Sequence, residues 1–207
     1  MKMGSRDAEK LLGARLGNTG LDPQRTMAFR GRFDRLRKLG CPTDVNTGKG
    51  RAATYGWPQL LQLAVALDLI NLGMTPELAS SVVTLHQREI NLACIRLAQL
   101  IDRPEHFENV VRVEKWPLEK TIFLSVDARA LAIFKQGDTT ACPSVGLIEG
   151  IGISDWLSSS TPYDAANVLI DFGTKLAQLI HLVAIWSEAD VAEVVKDFSE
   201  WAEDVHP

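Results

Sequence analysis

The stretch "LDPQRTMAFRGRFDRLRKLG" (residues 21–40) decides how the rest of the chain is interpreted. Asp22 followed by Pro23 is typical of a helix start, because the Asp side chain can accept from free N–H groups and proline fits the first turn. Apolar side chains recur at i, i+4 and i+7 and form one stripe: Phe29, Phe33 and Leu36. We therefore predict an amphipathic helix that runs to about Leu39.

Cationic side chains dominate the rest of this helix. Between positions 25 and 38 there is a single acidic residue, Asp34. The basic residues there are Arg25, Arg30, Arg32, Arg35, Arg37 and Lys38. Arginine offers planar, multidentate donors to phosphates and to guanine edges, so we predict a nucleic-acid contact rather than a solvated face alone. Gly31 in mid-helix costs about 1 kcal/mol against alanine. Either a close approach of the backbone to another group or a kink would explain it.

The segment before this stretch predicts a second, shorter helix. Residues 6–17 have helical character, with Ser5 as the expected cap and Gly17 as the end, and residues 18–20 are typical of a turn. Helix, short turn and helix form the helix-turn-helix pattern.

The segment after it, "GKGRAATYGWPQLLQL" (residues 48–63), combines glycines with a basic tip. A phosphate-binding loop needs Ser or Thr after the Gly-Lys pair and a glycine five positions earlier. This chain has Gly50 and Thr43 at those places, which disfavours nucleotide binding. The hairpin of a winged helix-turn-helix fits better, with Lys49 and Arg51 at a tip that glycine lets approach DNA.

The remainder predicts further helices and a small sheet. A helix over about 58–72 is followed by a stop and restart at Gly73, Thr75 and Pro76, and then by helix toward Ile101 with a break near His86. Strands are expected between 104 and 160, and helices over 162–186 and, capped by Ser187, 188–205. The last helix carries an apolar stripe that includes Phe198 and Trp201, and we expect this stripe to form a dimer contact.

Charge is distributed unevenly. Residues 1–60 hold 12 Lys/Arg and 5 Asp/Glu, a net +7, whereas the remaining 147 residues hold 10 and 21, a net −11. A basic head on an acidic body suggests that a polyanion is contacted at one end only. Apolar runs are too short for a membrane span and the start has no secretory signal, so we expect a cytoplasmic protein with reduced thiols.

The residues of the first half resemble a known family. "FDRLRKLGCP…TGKGRAATYGWPQLLQLAVALDLINLGMTPELASSVV" is similar to the DNA-binding domain of MerR-type transcription regulators, over about residues 6–86. The matching features are Gly50-Arg51 and Tyr55 in the wing and the "NLGMTPELA" step between helices. The family's Arg-Tyr-Tyr-Glu-type signature is replaced here by "FRGRFDRLRKLG", so base contacts are not carried over residue by residue.

The resemblance implies an N-terminal winged helix-turn-helix, and the residue pattern after 104 predicts a C-terminal domain of a small sheet and two long helices, so we expect an α+β chain. We assign 1–86 to DNA binding, 87–103 to a connecting helix and 104–207 to dimerisation or sensing. The implied function is a sequence-specific regulator of transcription that binds double-stranded DNA as a homodimer. Arg51, Lys49 and Tyr55 would act from the wing, and RNA polymerase or a small-molecule effector are further candidate partners.

Two alternatives remain open at this point. A phage or mobile-element DNA-structural protein, such as a packaging adaptor or an excision factor, would use the same winged domain. An enzyme carried on 104–207 is less favoured, because no Ser-His-Asp or Cys-His arrangement is visible and paired carboxylates would require Asp127 and Glu149 on neighbouring strands. We predict no catalytic residues, no metal site and no cofactor.

Overall fold

The protein is a mixed α+β chain that is mostly helical and carries two small antiparallel sheets. The computed structural model describes residues 1–17, 22–45, 52–100, 121–127, 145–159 and 167–204.

The first half consists of five helices and a two-stranded sheet. In chain order the elements are β1 (Met3–Gly4), α1 (Ser5–Arg15), α2 (Pro23–Lys38), β2 (Thr54–Tyr55), α3 (Trp57–Asn71), α4 (Pro76–Leu85) and α5 (Gln87–Leu100). The predicted break at His86 is confirmed, because this residue caps the end of α4 before α5 begins.

Local signals place most of these helix ends. Asp22 accepts from the backbone N–H of Gln24 at 2.9 Å, and Thr75 accepts from that of Leu78 at 3.2 Å, so both predicted caps are confirmed. The predicted cap at Ser5 is wrong, because the helix already includes Ser5 and its N-cap is Gly4, which has no side chain to accept.

The two-residue strands β1 and β2 pair antiparallel, with Met3 opposite Tyr55. The sequence indicated that residues 51–55 return as a strand, and the described part of that strand is β2. Its partner is the segment before α1, and this pairing ties the N-terminus to the chain that leads into α3.

The described residues of the second half form a three-stranded sheet and three helices. The strands β3 (Ile122–Asp127), β4 (Val145–Glu149) and β5 (Asn167–Asp171) lie in the order β4-β3-β5, and both pairings are antiparallel. A 3-10 turn at 150–152 leads into α6 (Ile153–Ser159), although the sequence suggested only strands between 104 and 160. The long helices are α7 (Phe172–Ser187) and α8 (Val191–Asp204).

The expected start of α7 near 162 is wrong over its described part. Residues 167–171 form β5, and the helix begins only at Phe172, where Asp171 accepts from the backbone N–H of Thr174 at 3.0 Å. Ser187 does not cap α8, because it is the last residue of α7 and its hydroxyl donates to the carbonyl of Val183 at 2.7 Å. Asp190 takes that place by accepting from the N–H of Ala192.

One apolar core runs through both halves of the chain. Helix α7 packs on α1, and α8 packs on α5 and α7. Phe198 of α8 is fully buried, and its ring meets that of Trp57 edge-on at 5.2 Å. Phe198 of the expected dimer stripe is therefore not available at the surface, because the start of α3 covers it within the same chain.

A buried ion pair between α1 and α3 also contacts the second half through its arginine. Both terminal nitrogens of Arg15 donate to the carboxylate of Asp68, at 3.2 and 2.5 Å, and the Arg15 Nε lies 3.5 Å from the carbonyl oxygen of Lys175. Helices α1, α3 and α7 are thereby held in a fixed arrangement. None of the helices in the described ranges combines the length and apolar character that crossing a bilayer requires.

Candidate nucleic-acid interface

Helix α2 presents its cationic side chains to solvent while its apolar stripe faces the core. Phe29, Phe33 and Leu36 are buried as the spacing predicted. The exposed cations are Arg25, Arg30, Arg32, Arg35, Arg37 and Lys38. The same periodicity that buries three side chains therefore places six positive charges on one accessible helix.

Partners on neighbouring helices orient three of these arginines. Arg30 lies 3.2 Å from a carboxylate oxygen of Glu9 on α1. On the opposite flank, Arg35 donates from two nitrogens to Glu77 of α4, at 2.8 and 2.5 Å, and Arg32 lies 3.3 Å from the Asn71 side-chain oxygen at the end of α3. The arginines thus lie on two flanks of α2, with Arg30 beside α1 and with Arg32 and Arg35 beside α3 and α4.

Two further arginines have partners within or next to the helix itself. Arg25 lies 3.5 Å from the carboxylate of Asp22, and Arg37 lies 3.5 Å from that of Asp34. Exposed pairs of this kind contribute little, about 0–1 kcal/mol, so the guanidinium groups can exchange these carboxylates for phosphates at small cost.

Between these arginines the outer surface of α2 includes two uncharged residues, Met27 and Gly31, on the same face as the charged Asp34 and Lys38. Met27 is 71% exposed. A side-chain carbon added at Gly31 would meet no atom of the described residues within 4 Å, so a close approach inside the described part of the chain does not explain this glycine. Gly31 therefore leaves a point of low relief with cations on both sides.

Glu77 is the carboxylate most affected by this arrangement. Its hydrogen bond with Arg35 lowers the pKa of Glu77 below the ordinary value. The carboxylate is therefore ionised at neutral pH and competes with any anion for Arg35. No spacing in the sequence connects these two residues, and the same is true of Arg30 and Glu9, so sequence reasoning missed both partners.

Tyr55 does not belong to this surface. Its side chain is fully buried, and its ring centroid lies 6.4 Å from that of Phe33. The expectation of a DNA contact from Tyr55 is wrong, because β2 turns this residue into the core. Its hydroxyl is buried as well and has no hydrogen-bond partner among the described residues.

The expected wing tip, with Lys49 and Arg51, lies outside the described residues. The loop that leads toward it is fixed by Gln62, a buried side chain of α3 whose oxygen accepts from the backbone N–H of Thr43 at 2.8 Å. A lone glutamine in an apolar helix gave no signal of this role.

Metal binding, thiol chemistry and catalysis by paired carboxylates find little support in the described parts of the chain. They contain no group of three potential metal ligands. Burial raises the pKa of Cys41 to about 12 and that of Cys94 further still, so both thiols stay protonated; Cys142 lies outside the described residues. The register places Glu149 opposite Ile122, at the far end of β3 from Asp127, which excludes the paired carboxylates.

We compared the chain with protein-family models, with curated proteins and with solved structures, and nothing matched. The support for a function therefore comes from the geometry and charge of the chain itself.

Proposed function

We propose that this protein is a regulator of transcription that binds double-stranded DNA through α2. The observation that carries the proposal is the exposed cationic surface of α2, on which arginines lie on both sides of Met27 and Gly31. An α-helix fits the major groove of B-DNA, where side chains on its flanks reach the phosphates and its outermost strip faces the base edges.

The surrounding elements are consistent with a winged helix-turn-helix. Helix α1 packs on α2 across a short connection, and β2 follows the segment that would form the wing. We propose that Lys49 and Arg51 contact the backbone from that segment, as the resemblance to MerR-type regulators implies. The acidic remainder of the chain would keep contact with a polyanion restricted to this end.

The geometry assigns the arginines a more specific part than the sequence did. Arg30 and Arg32 lie on opposite flanks, each within reach of a neighbouring helix. We propose that the arginines on both flanks bind mainly phosphates and that base edges meet the surface between them, which contains Met27 and Gly31. Non-enzymatic action and binding as a homodimer belong to the same proposal, and RNA polymerase or a small effector remain candidate partners.

A selection experiment tests the proposal. The full chain is incubated with a library of random duplexes at about physiological salt, and bound DNA is sequenced. We expect enrichment of one motif, with a twofold-symmetric arrangement if a dimer binds. Recovery of no duplex above a control with Arg30, Arg32 and Arg35 all changed to Ala would contradict DNA binding by α2.

The runner-up function, a phage or mobile-element DNA-structural protein, uses the same surface and differs in where it binds. Mapping bound positions in the source genome separates the two. Sites in promoters support a regulator, whereas sites at packaging or attachment sequences support the alternative.

A further inference from the structure

An open cavity of about 540 Å³ lies between α1, the first half of α2 and the end of α7. Its walls are almost entirely apolar and include Leu11, Ala14, Phe29, Leu182, Ile185 and Trp186. Ile185 and Trp186 are 62% and 38% exposed, although both are large apolar side chains. Large apolar groups left in water at a concave surface mark a place where something binds.

We propose that this cavity is the binding site of a small, uncharged molecule that carries an aromatic ring. Its volume falls within the range of about 300–1,000 Å³ that is usual for small-molecule sites. Phe29 and Trp186 offer ring surfaces from different helices, and aromatic groups pack favourably against them.

The charges around the cavity argue for an uncharged occupant. Two charged residues line it, but Glu9 is already paired with Arg30 at 3.2 Å and Lys10 is exposed to solvent. Neither residue therefore offers a buried, unpaired charge to an ion. A charged ligand would lose its hydration against apolar walls without gaining a partner of its own, which is costly.

The shape argues for a small molecule rather than a second copy of the chain. A specific protein interface buries roughly 800 Å² on each partner over a broad surface. The apolar groups here instead line a recess between three helices, and the charged residues Glu9 and Lys10 lie in the same lining. A molecule that enters the recess would bury more of its own surface than a protein laid across it.

Occupancy of the cavity would be coupled to the DNA-binding surface, a step that rests on the proposed function. Phe29 belongs to α2, and its ring centroid lies 6.3 Å from that of Phe33, which in turn contacts Tyr55 of β2. A ligand that favours one position of Phe29 therefore favours one position of α2 relative to α1. Such differential binding is what an effector needs to shift DNA affinity.

The test uses N-phenyl-1-naphthylamine, an uncharged aromatic probe whose fluorescence rises in apolar surroundings, with the full chain. We expect saturable binding at one site and a higher melting temperature with the probe, because it binds the folded state. Ile185→Ser should weaken binding roughly fivefold to tenfold, as expected for the loss of one apolar side chain from the site. Ala14→Phe should abolish binding by filling the recess.

Ile151→Ser is the matched control, because Ile151 is 76% exposed and does not line the cavity. It should leave the affinity unchanged. Equal affinities for the two serine variants, or no saturable binding, would overturn the proposal. A wild-type dimer that Ile185→Ser converts to a monomer would also overturn it, in favour of a second copy. None of these measurements involves DNA, so failure of the site and failure of the proposed function are distinguishable.

Discussion

Gly31 occupies the one place on the outer surface of α2 where a side chain could be added without meeting any described atom. Glycine in a helix interior costs about 0.5–1 kcal/mol relative to alanine. Gly31→Ala should therefore raise the free energy of unfolding by about that amount, measured by urea denaturation.

Gly13→Ala is the comparison for this variant. A side-chain carbon at Gly13 of α1 would lie 3.3 Å from the ring of Phe29, so the gain in helix propensity is offset by contact and the variant should gain less. If Gly31→Ala is stabilised and yet binds DNA more weakly than wild type, the glycine is there to let the DNA approach. A stabilised variant that binds DNA as wild type does would contradict that role.

Glu77 is expected to restrain DNA binding through Arg35. Its pKa is lowered by Arg35, so the pair is present at neutral pH and is lost only as the pH falls through the lowered pKa. Glu77→Gln should strengthen DNA binding by roughly 0.2–1 kcal/mol, the usual value of an exposed pair. Fluorescence anisotropy with a labelled duplex at matched salt measures the change.

Glu200→Gln is the control, because it removes the same charge from an exposed ion pair. That pair, between Glu200 and Lys196, lies within α8. An equal gain in both variants would show only the effect of net charge. The specific role of Glu77 requires the larger gain at Glu77→Gln.

At the scale of the element, the wing remains a prediction that the described residues do not include. Phosphate contacts release counterions, so Lys49→Ala combined with Arg51→Ala should reduce the slope of log K against log salt by about one to two units. Arg88→Ala with Lys196→Ala removes the same two charges from α5 and α8. If the two double variants have the same slope, the segment that contains Lys49 and Arg51 does not contact DNA.

The ends of the helices show which features of the fold can be predicted from local sequence and which cannot. Asp22 and Thr75 cap as predicted, because the cap, its proline and the first turn are all within four residues. The start of α7 was misplaced, because Thr161-Pro162 is also a good start signal and only pairing with β3 makes 167–171 a strand. Tyr55 was misassigned for the same reason, since the partner of β2 lies more than 50 residues earlier.

At the scale of the whole molecule, the packing partners of the apolar stripes could not be predicted from the sequence. Periodicity identified the apolar stripe of α8 but not what covers it. The indole N–H of Trp57 donates to Asp197 of α8 at 2.7 Å, and these two residues are 140 positions apart in the sequence. The cationic face of α2 was predictable because its stripe and its charges share one helix. The carboxylates of Glu9 and Glu77, which orient those charges, were not.

The pair of Arg15 and Asp68 should be the most costly ion pair to break. The two side chains are 1% and 9% exposed, and Asp68→Ala leaves a buried guanidinium unpaired, which costs about 3–5 kcal/mol. Arg15→Met with Asp68→Leu should recover much of this loss, because it removes both charges. Asp34→Ala, which breaks an exposed pair with Arg37, is the control; a similar loss there, by urea denaturation, would contradict this account.

The most direct test of the central claim is the affinity of Arg30→Ala and Arg32→Ala for a duplex selected by the wild-type protein, at matched salt. These residues lie on opposite flanks of α2, and Arg88→Ala on α5 is the control that removes one exposed arginine elsewhere. We predict that each α2 variant binds more weakly than wild type, by less than the roughly 1–3 kcal/mol expected for a lost base contact because these arginines bind mainly phosphates, while the control stays near wild type. Equal affinities of wild type, both α2 variants and the control would contradict the assignment of α2 as the DNA-binding helix.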